Sequence, residues 1–193
     1  AAPTVSLQLQ VEEPVGSGIW KDTGVIRQTG QRVKYRLYYS ISDPSGATIE
    51  NASANIVFPG SNQNVSSLDG IVLPSAVNSV TMGGTTTDPS IDVKFKSPTP
   101  SGTTGTLEFR LYIPGIGPNG LVMTPTLSFS GTSVASDNIK TPFTIDGGTG
   151  PSLTISGTLP TWKMTKTVSM EYYSSDEDAY LFDYTIRGAK QSV

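Results

Sequence analysis

Of 193 residues only 15% are charged, the formal net charge is −3, and Cys and His are both absent. That excludes a disulfide framework, a zinc–thiolate site, a thiol nucleophile and a Ser-His-Asp triad, each of which needs a missing residue type. A weakly acidic chain also lacks the basic stripe that displaces counterions from nucleic-acid phosphates, and no apolar run approaches the roughly 20 residues of a membrane-spanning helix.

In chain order, the opening "AAPTVS" is compatible with a mature end left by cleavage behind small residues. "VSLQLQV" then places Val5, Leu7, Leu9 and Val11 on one face and Ser6, Gln8 and Gln10 on the other. That period of two predicts a half-buried strand. "VKYRLYYSI" turns Val33, Tyr35, Leu37, Tyr39 and Ile41 inward and Lys34, Arg36 and Tyr38 outward. "DPSG" at Asp43–Gly46 reads as a type I turn, with Pro44 fixing φ. "NIVFPG", "IVLP" and "VNSVTM" follow as strand candidates, and Gly83–Gly84 reads as a loop.

"IDVKFK" alternates Ile91, Val93 and Phe95 against Asp92, Lys94 and Lys96, and "LEFRLYI" alternates Leu107, Phe109, Leu111 and Ile113 against Glu108, Arg110 and Tyr112. "GIGPNG" at Gly115–Gly120 is a loop, and "LVMTPTLSF" and "KTPFTI" are further strand candidates. "DGGTGPS" at Asp146–Ser152 reads as a flexible glycine-rich break, followed by "LTISGTLPTW" as strand or linker. No segment has helical periodicity. "SSDEDAY" fits an acidic loop or one capped helical turn.

Eight or nine strands, each half-buried on one face, must stack or close on themselves. The expectation is an all-β, immunoglobulin-like β-sandwich over residues 1–146, a linker over 147–160, and a segment 161–193. That last segment is either the opening strands of a second β module or a strand donated to a neighbour. Trp20-Lys21 and Trp162-Lys163 each precede a Tyr-rich alternating strand, and Leu37–Ile41 can be laid on Phe182–Ile186. A tandem repeat would give this pattern, with the second copy continuing past Val193.

"TGQRVKYRLYYSISDPSGATIENASANIVFPG" resembles the opening of the repeated β-sandwich modules of bacterial surface proteins. Gly30, Val33 and Tyr35 match their G-x-x-V-x-Y strand, Phe58-Pro59-Gly60 matches the following strand end, and "TWKMTKTV" is similar to a next module's first strand. The resemblance implies a secreted, modular cell-surface or adhesin-like protein, of Gram-positive type, with no catalytic signature and no cofactor. Its partners would be a host or neighbouring-cell surface protein or glycan, or another copy of the chain through its C-terminal segment.

The candidate ligand-binding residues are Tyr38, Arg110 and Tyr112, which parity puts on outward strand faces where they would form a flat stacking patch. Against that stands the ordinary reading of cross-strand pairs. Asp176, Glu177 and Asp178 lack the alternating calcium-loop pattern and read as solvated, as do Glu12 and Glu13. Trp20 and Trp162 are expected to plug the ends of sandwich cores. Lys21 or Lys34 would form an isopeptide bond with Asn138 only where their strands meet, and "NAS" at Asn51 and "NVS" at Asn64 are glycosylation acceptors in a eukaryotic secreted setting. The glycine-rich loops lack the P-loop Lys-Ser/Thr ending. Function therefore reads as a non-catalytic structural or adhesive module. The rivals are a fibre or pilus subunit assembling by strand donation, and a carbohydrate-binding accessory module.

Overall fold

A computed structural model of the chain describes residues 2–44, 47–114 and 119–156 in full, and the backbone of 161–172 and 180–191. The chain divides into two compact units, residues 1–157 and 158–193. Parts of the expected turn at Asp43–Gly46 and loop at Gly115–Gly120, the acidic residues Asp176, Glu177 and Asp178, and the Trp162 side chain lie outside the described residues. No helix among the described residues is long and apolar enough to cross a membrane.

The first unit is all-β, as its alternation predicts. One sheet contains β1 (Thr4–Glu12), β2 (Trp20–Lys21), β4 (Arg32–Ser42), β6 (Ser66–Val72) and β10 (Thr103–Tyr112), in the order β2-β1-β4-β10-β6. A second contains β5 (Thr48–Val57), β7 (Val77–Gly84), β8 (Pro89–Phe95), β12 (Thr126–Val134) and β13 (Lys140–Thr149), in the order β13-β12-β5-β8-β7, with β9 (Thr99–Pro100) on β5. A small third sheet joins β11 (Val122–Met123), β14 (Leu153–Ser156) and β3 (Val25–Gln28), with β14 parallel to β3.

The core between the two large sheets is built by parity. Val33, Tyr35, Leu37, Tyr39 and Ile41 of β4 are fully buried, as are Leu107, Phe109 and Leu111 of β10 and Ile91 and Val93 of β8. Tyr39 meets Phe95 edge-on at 4.9 Å across the two sheets, and Tyr35 stacks on Phe109 at 5.6 Å. Such ring pairs add to the stabilisation from area burial alone. The hydroxyls of Tyr35 and Tyr39 are buried without a hydrogen-bond partner. In the second unit β15 (Thr161–Tyr172) and β16 (Tyr180–Gln191) pair antiparallel from Thr161↔Gln191 to Tyr172↔Tyr180.

Three local expectations differ from the structure. Residues 147–149 complete β13, and Leu153 and Ile155 are fully buried in β14, so the segment read as a linker contains the end of β13 and all of β14, Leu153–Ser156, joined by residues 150–152. Its glycines serve close approach. A Cβ on Gly147 would lie 2.9 Å from Leu7 Cδ1, and one on Gly150 2.8 Å from Leu9 Cδ2. Gly83 and Gly84 stand in β7, paired with Ser90 and Pro89, rather than in a loop. Gly84 has φ +79, and a Cβ there would meet the Asp88 carbonyl at 2.4 Å. Trp20 does not plug the core end. It is half-buried on β2, and its ring carries the cations of Arg36 at 4.6 Å and Lys34 at 5.5 Å.

Candidate functional site

The outward face of the first sheet is a ladder of satisfied polar groups. Asp69 on β6 accepts from Arg110 Nε at 2.9 Å and from Arg32 Nε at 2.8 Å. Lys34 pairs with Glu108 at 3.2 Å. Arg36 Nε donates to Gln10 Oε1 at 3.2 Å, beneath the Trp20 ring. Gln8 and Gln10 both donate to Asp22 Oδ1, at 3.0 and 2.9 Å. The hydrogen bond from Arg32, with that from Arg110 and both positive charges, holds the Asp69 carboxyl below its usual range.

The three sequence-chosen residues all lie on this face, but they do not form one patch. Tyr38 is exposed and stands opposite Gln8 and Thr106. Tyr112 is six positions further along β10 than Thr106, roughly 20 Å away at strand spacing. Arg110 and Tyr112 do share one end, where the Arg32 guanidinium lies 5.5 Å from the Tyr112 ring. Lys34 is committed to Glu108, and Asn138 sits in the turn between β12 and β13 of the other sheet, so the isopeptide pairing is not assembled.

The lower rim of this face is pinned by buried charge that sequence reasoning assigned to solvent. Glu12 accepts from the backbone N–H of Gly18 at 2.9 Å and of Gly16 at 3.1 Å. Burial pushes its carboxyl up, but those two donors and the charges of Lys34 and Arg27 prevail and hold it below the ordinary value. Arg27, also buried, pairs with Glu13 and donates to the Glu12 carbonyl at 2.8 Å.

The ends of the first unit are arranged along one direction. β1 pairs antiparallel with β4 from Thr4↔Ser42 to Val11↔Tyr35. Gly147 lies against Leu7 and Gly150 against Leu9, so the end of β13 runs beside β1 in the same sense. β14 then pairs parallel with β3, from Leu153↔Val25 to Ser156↔Gln28, and Gln28 turns into the start of β4. Thr4 and Ser156 therefore leave at opposite ends of the strands.

The second sheet carries a pocket of about 610 Å³ that the sequence reading did not find. Asn51, Ala52, Ser53, Asn78, Lys94, Phe95, Lys96 and Ser97 line it. Two bulges frame it. In β5 the register slips opposite Gly131, and Asn51 takes φ 52. In β7 the register slips between Val77 and Ser79, leaving Asn78 as the extra residue. A bulge re-aims side chains that a regular strand would send elsewhere. The legible signal was a slip of parity, Ile49 to Ala52 and Val77 to Val80, each three apart where the pattern requires two. Lys94 and Lys96 have no ion pair among the described residues. Among those residues no group of three or more acidic side chains could hold a metal ion.

No protein-family model matches the sequence, and no curated protein matches it. Among solved structures the chain is similar to the sixth cohesin of Acetivibrio cellulolyticus scaffoldin B, solved in complex with a Cel5 dockerin. The identity is 12%, covering 79% of this chain and 99% of that one, with a TM-score of 0.43. It is also similar to a 35 kDa C-terminal fragment of the major pilin of Streptococcus agalactiae, at 12% identity, 91% and 65% coverage and TM-score 0.46. A third is the major pilin subunit of Bacillus cereus, at 10% identity, 95% and 55% coverage and TM-score 0.47.

Proposed function

We propose that this chain is a non-catalytic structural and adhesive module of an extracellular bacterial surface protein, a stiff spacer that presents its faces to a partner. The observation that carries the reading is the geometry of the first unit's terminal strands. Tension between Thr4 and Ser156 runs along β1 and β14 and loads the β1–β4 and β14–β3 ladders in shear. Ladder hydrogen bonds run across the strands, so tension along a strand acts on all of them at once, whereas peeling from an end acts on them one at a time. The interlocked charges on the outer face of the first sheet suit a surface that keeps its shape under load. In this reading β15 and β16 belong to a following module, which makes the chain one link of a tandem array.

Single-molecule pulling tests the proposal. The full chain is held at Thr4 and Ser156 and, separately, at Thr4 and the β12–β13 turn. The expected result is one cooperative rupture of residues 4–156 at clearly higher force in the first geometry. Stepwise peeling at low force in both geometries would overturn the spacer role.

A further inference from the structure

We propose that the pocket on the second sheet binds an acidic saccharide, a sugar ring bearing a carboxylate, with Lys94 and Lys96 as the anion contacts. This deepens the adhesive half of the function proposed above and does not depend on its tension-bearing half.

The volume, about 610 Å³, is that of a small-ligand site. The lining sorts by chemistry. Ala52 and Phe95 are the apolar part of the lining, and both are buried, so recognition falls to the polar groups around them. Asn51 and Asn78 bring amides, and Ser53 and Ser97 hydroxyls, which can both donate to and accept from sugar hydroxyls. Lys94 stands on β8 and Lys96 immediately after its end at Phe95, two residues on and roughly 7 Å away at strand spacing. Both are exposed, no acidic side chain lines the pocket, and neither has an ion-pair partner among the described residues. A carboxylate between the two ammonium groups completes them.

Other occupants fit less well. An extended peptide adding to a sheet needs a free edge, and β8 at Lys94 is paired on both sides, with Ser53 of β5 and Ser79 of β7. A nucleobase needs an open aromatic platform. The Phe95 ring is 4% exposed and already packs on Tyr39 at 4.9 Å and Phe129 at 5.6 Å. The two bulges supply the reason the pocket exists: both asparagines that line it stand at interruptions of otherwise regular strands.

The test is titration of the full chain, followed by backbone-amide NMR, with methyl glucuronide, sialyllactose, lactose and acetate, each to roughly 10 mM, the weak end of measurable affinity. The two acidic sugars separate a uronic acid from a sialic acid as the source of the carboxylate. The expected result is saturation by at least one acidic sugar, with shifts centred on residues 51–53, 78 and 94–97. Lactose and acetate should each bind about tenfold more weakly or not at all. Lys94→Gln and Lys96→Gln should each weaken the acidic sugar about tenfold without moving the melting temperature, and Lys21→Gln, on the first sheet, should change nothing. Lactose binding as tightly as the tighter of the two acidic sugars, acetate binding as tightly as that sugar, or no shifts with any ligand would each overturn the proposal. Because the pulling experiment reads the terminal strands alone, the two proposals fail separately.

Discussion

The two large sheets of the first unit treat their outward charges in opposite ways. On the first sheet the cations of β4 and β10 are all engaged: Arg32 and Arg110 on Asp69, Lys34 on Glu108, Arg36 between Gln10 and Trp20. On the second sheet Lys94 of β8 and Lys96 just past its end have no ion pair among the described residues and line a concavity. The strands beneath those charges differ too. β4 pairs with β10 without interruption from Arg32 to Ile41, and the slips of that sheet lie at its β10–β6 edge, while on the second sheet β5 and β7 are each broken by a bulge at the pocket. At the pocket the slips leave Asn51 and Asn78 without a regular cross-strand partner. The contrast assigns rigidity to one face and binding capacity to the other.

The harshest way to break this contrast is at Gly131, which faces the β5 bulge. A Cβ there would lie 2.6 Å from Ile49 Cγ2, on a fully buried β-branched side chain that has nowhere to go. Gly131→Ala should cost about 2 kcal/mol in denaturant unfolding, the usual scale of overpacking. Its chemical-shift changes should cross to Asn51 and Ser53 and leave the Arg36–Trp20 region still. Shifts spread evenly over both sheets would mean that the bulge is not a local device.

Next is Glu12, which pins the rim of the charged face. Its folded carboxyl titrates below the unfolded value, so the stabilisation is fully present above the unfolded value of about 4.3 and is lost as pH falls through the lower, folded one. Glu12→Gln should cost about 1 kcal/mol at pH 7, the scale of hydrogen bonds to a charged group near water. The wild-type and variant stability curves should converge by about pH 2. A constant difference from pH 7 to pH 2 would show that packing, not charge, anchors the loop.

A smaller effect sharpens the paired face. A double-mutant cycle of Trp20→Ala and Arg36→Ala should give a coupling of about 0.5–1 kcal/mol, the range for a cation over an indole ring near the surface. Additivity within error would reduce Trp20 to a loose cover.

Much of the fold was legible because parity was clean. In β1, β4, β8 and β10 the inward residues follow from the alternation alone, and all-β architecture follows from there. The glycine-rich segment at 146–152 misled because glycine has two uses. It frees the backbone, or it lets two strands approach where a Cβ would collide, and Gly147 and Gly150 serve the second purpose against residues about 140 positions earlier. Trp20 misled because a large apolar ring is expected inside, yet its face also holds cations. Outward Tyr38, Arg110 and Tyr112 were placed on the correct side, but parity gives a side and not a separation. The distance from Tyr38 to Tyr112 depends on the β4–β10 register, which no local pattern encodes. The pocket was hidden for the same reason, since a bulge is visible only as a broken alternation until its partner strand is known.

The smallest expected change has the opposite sign to the rest. Tyr35 is fully buried between the two faces, stacked on Phe109, with its hydroxyl unpartnered and its ionisation pushed well above the ordinary tyrosine value by burial. A buried hydroxyl without a hydrogen bond is a desolvation cost with nothing to offset it. Tyr35→Phe keeps the ring, the stack and nearly all of the volume and removes only the oxygen. It should therefore leave stability unchanged or raise it by up to about 1 kcal/mol, whereas truncating the same ring with Tyr35→Ala should cost roughly 3–5 kcal/mol. Urea midpoints for the pair measure both. A loss of more than about 1 kcal/mol in Tyr35→Phe would mean that the hydroxyl has a partner, such as a buried water. The two sheets would then be joined by a polar bridge as well as by the packed rings, and the independence of the two faces would have to be given up.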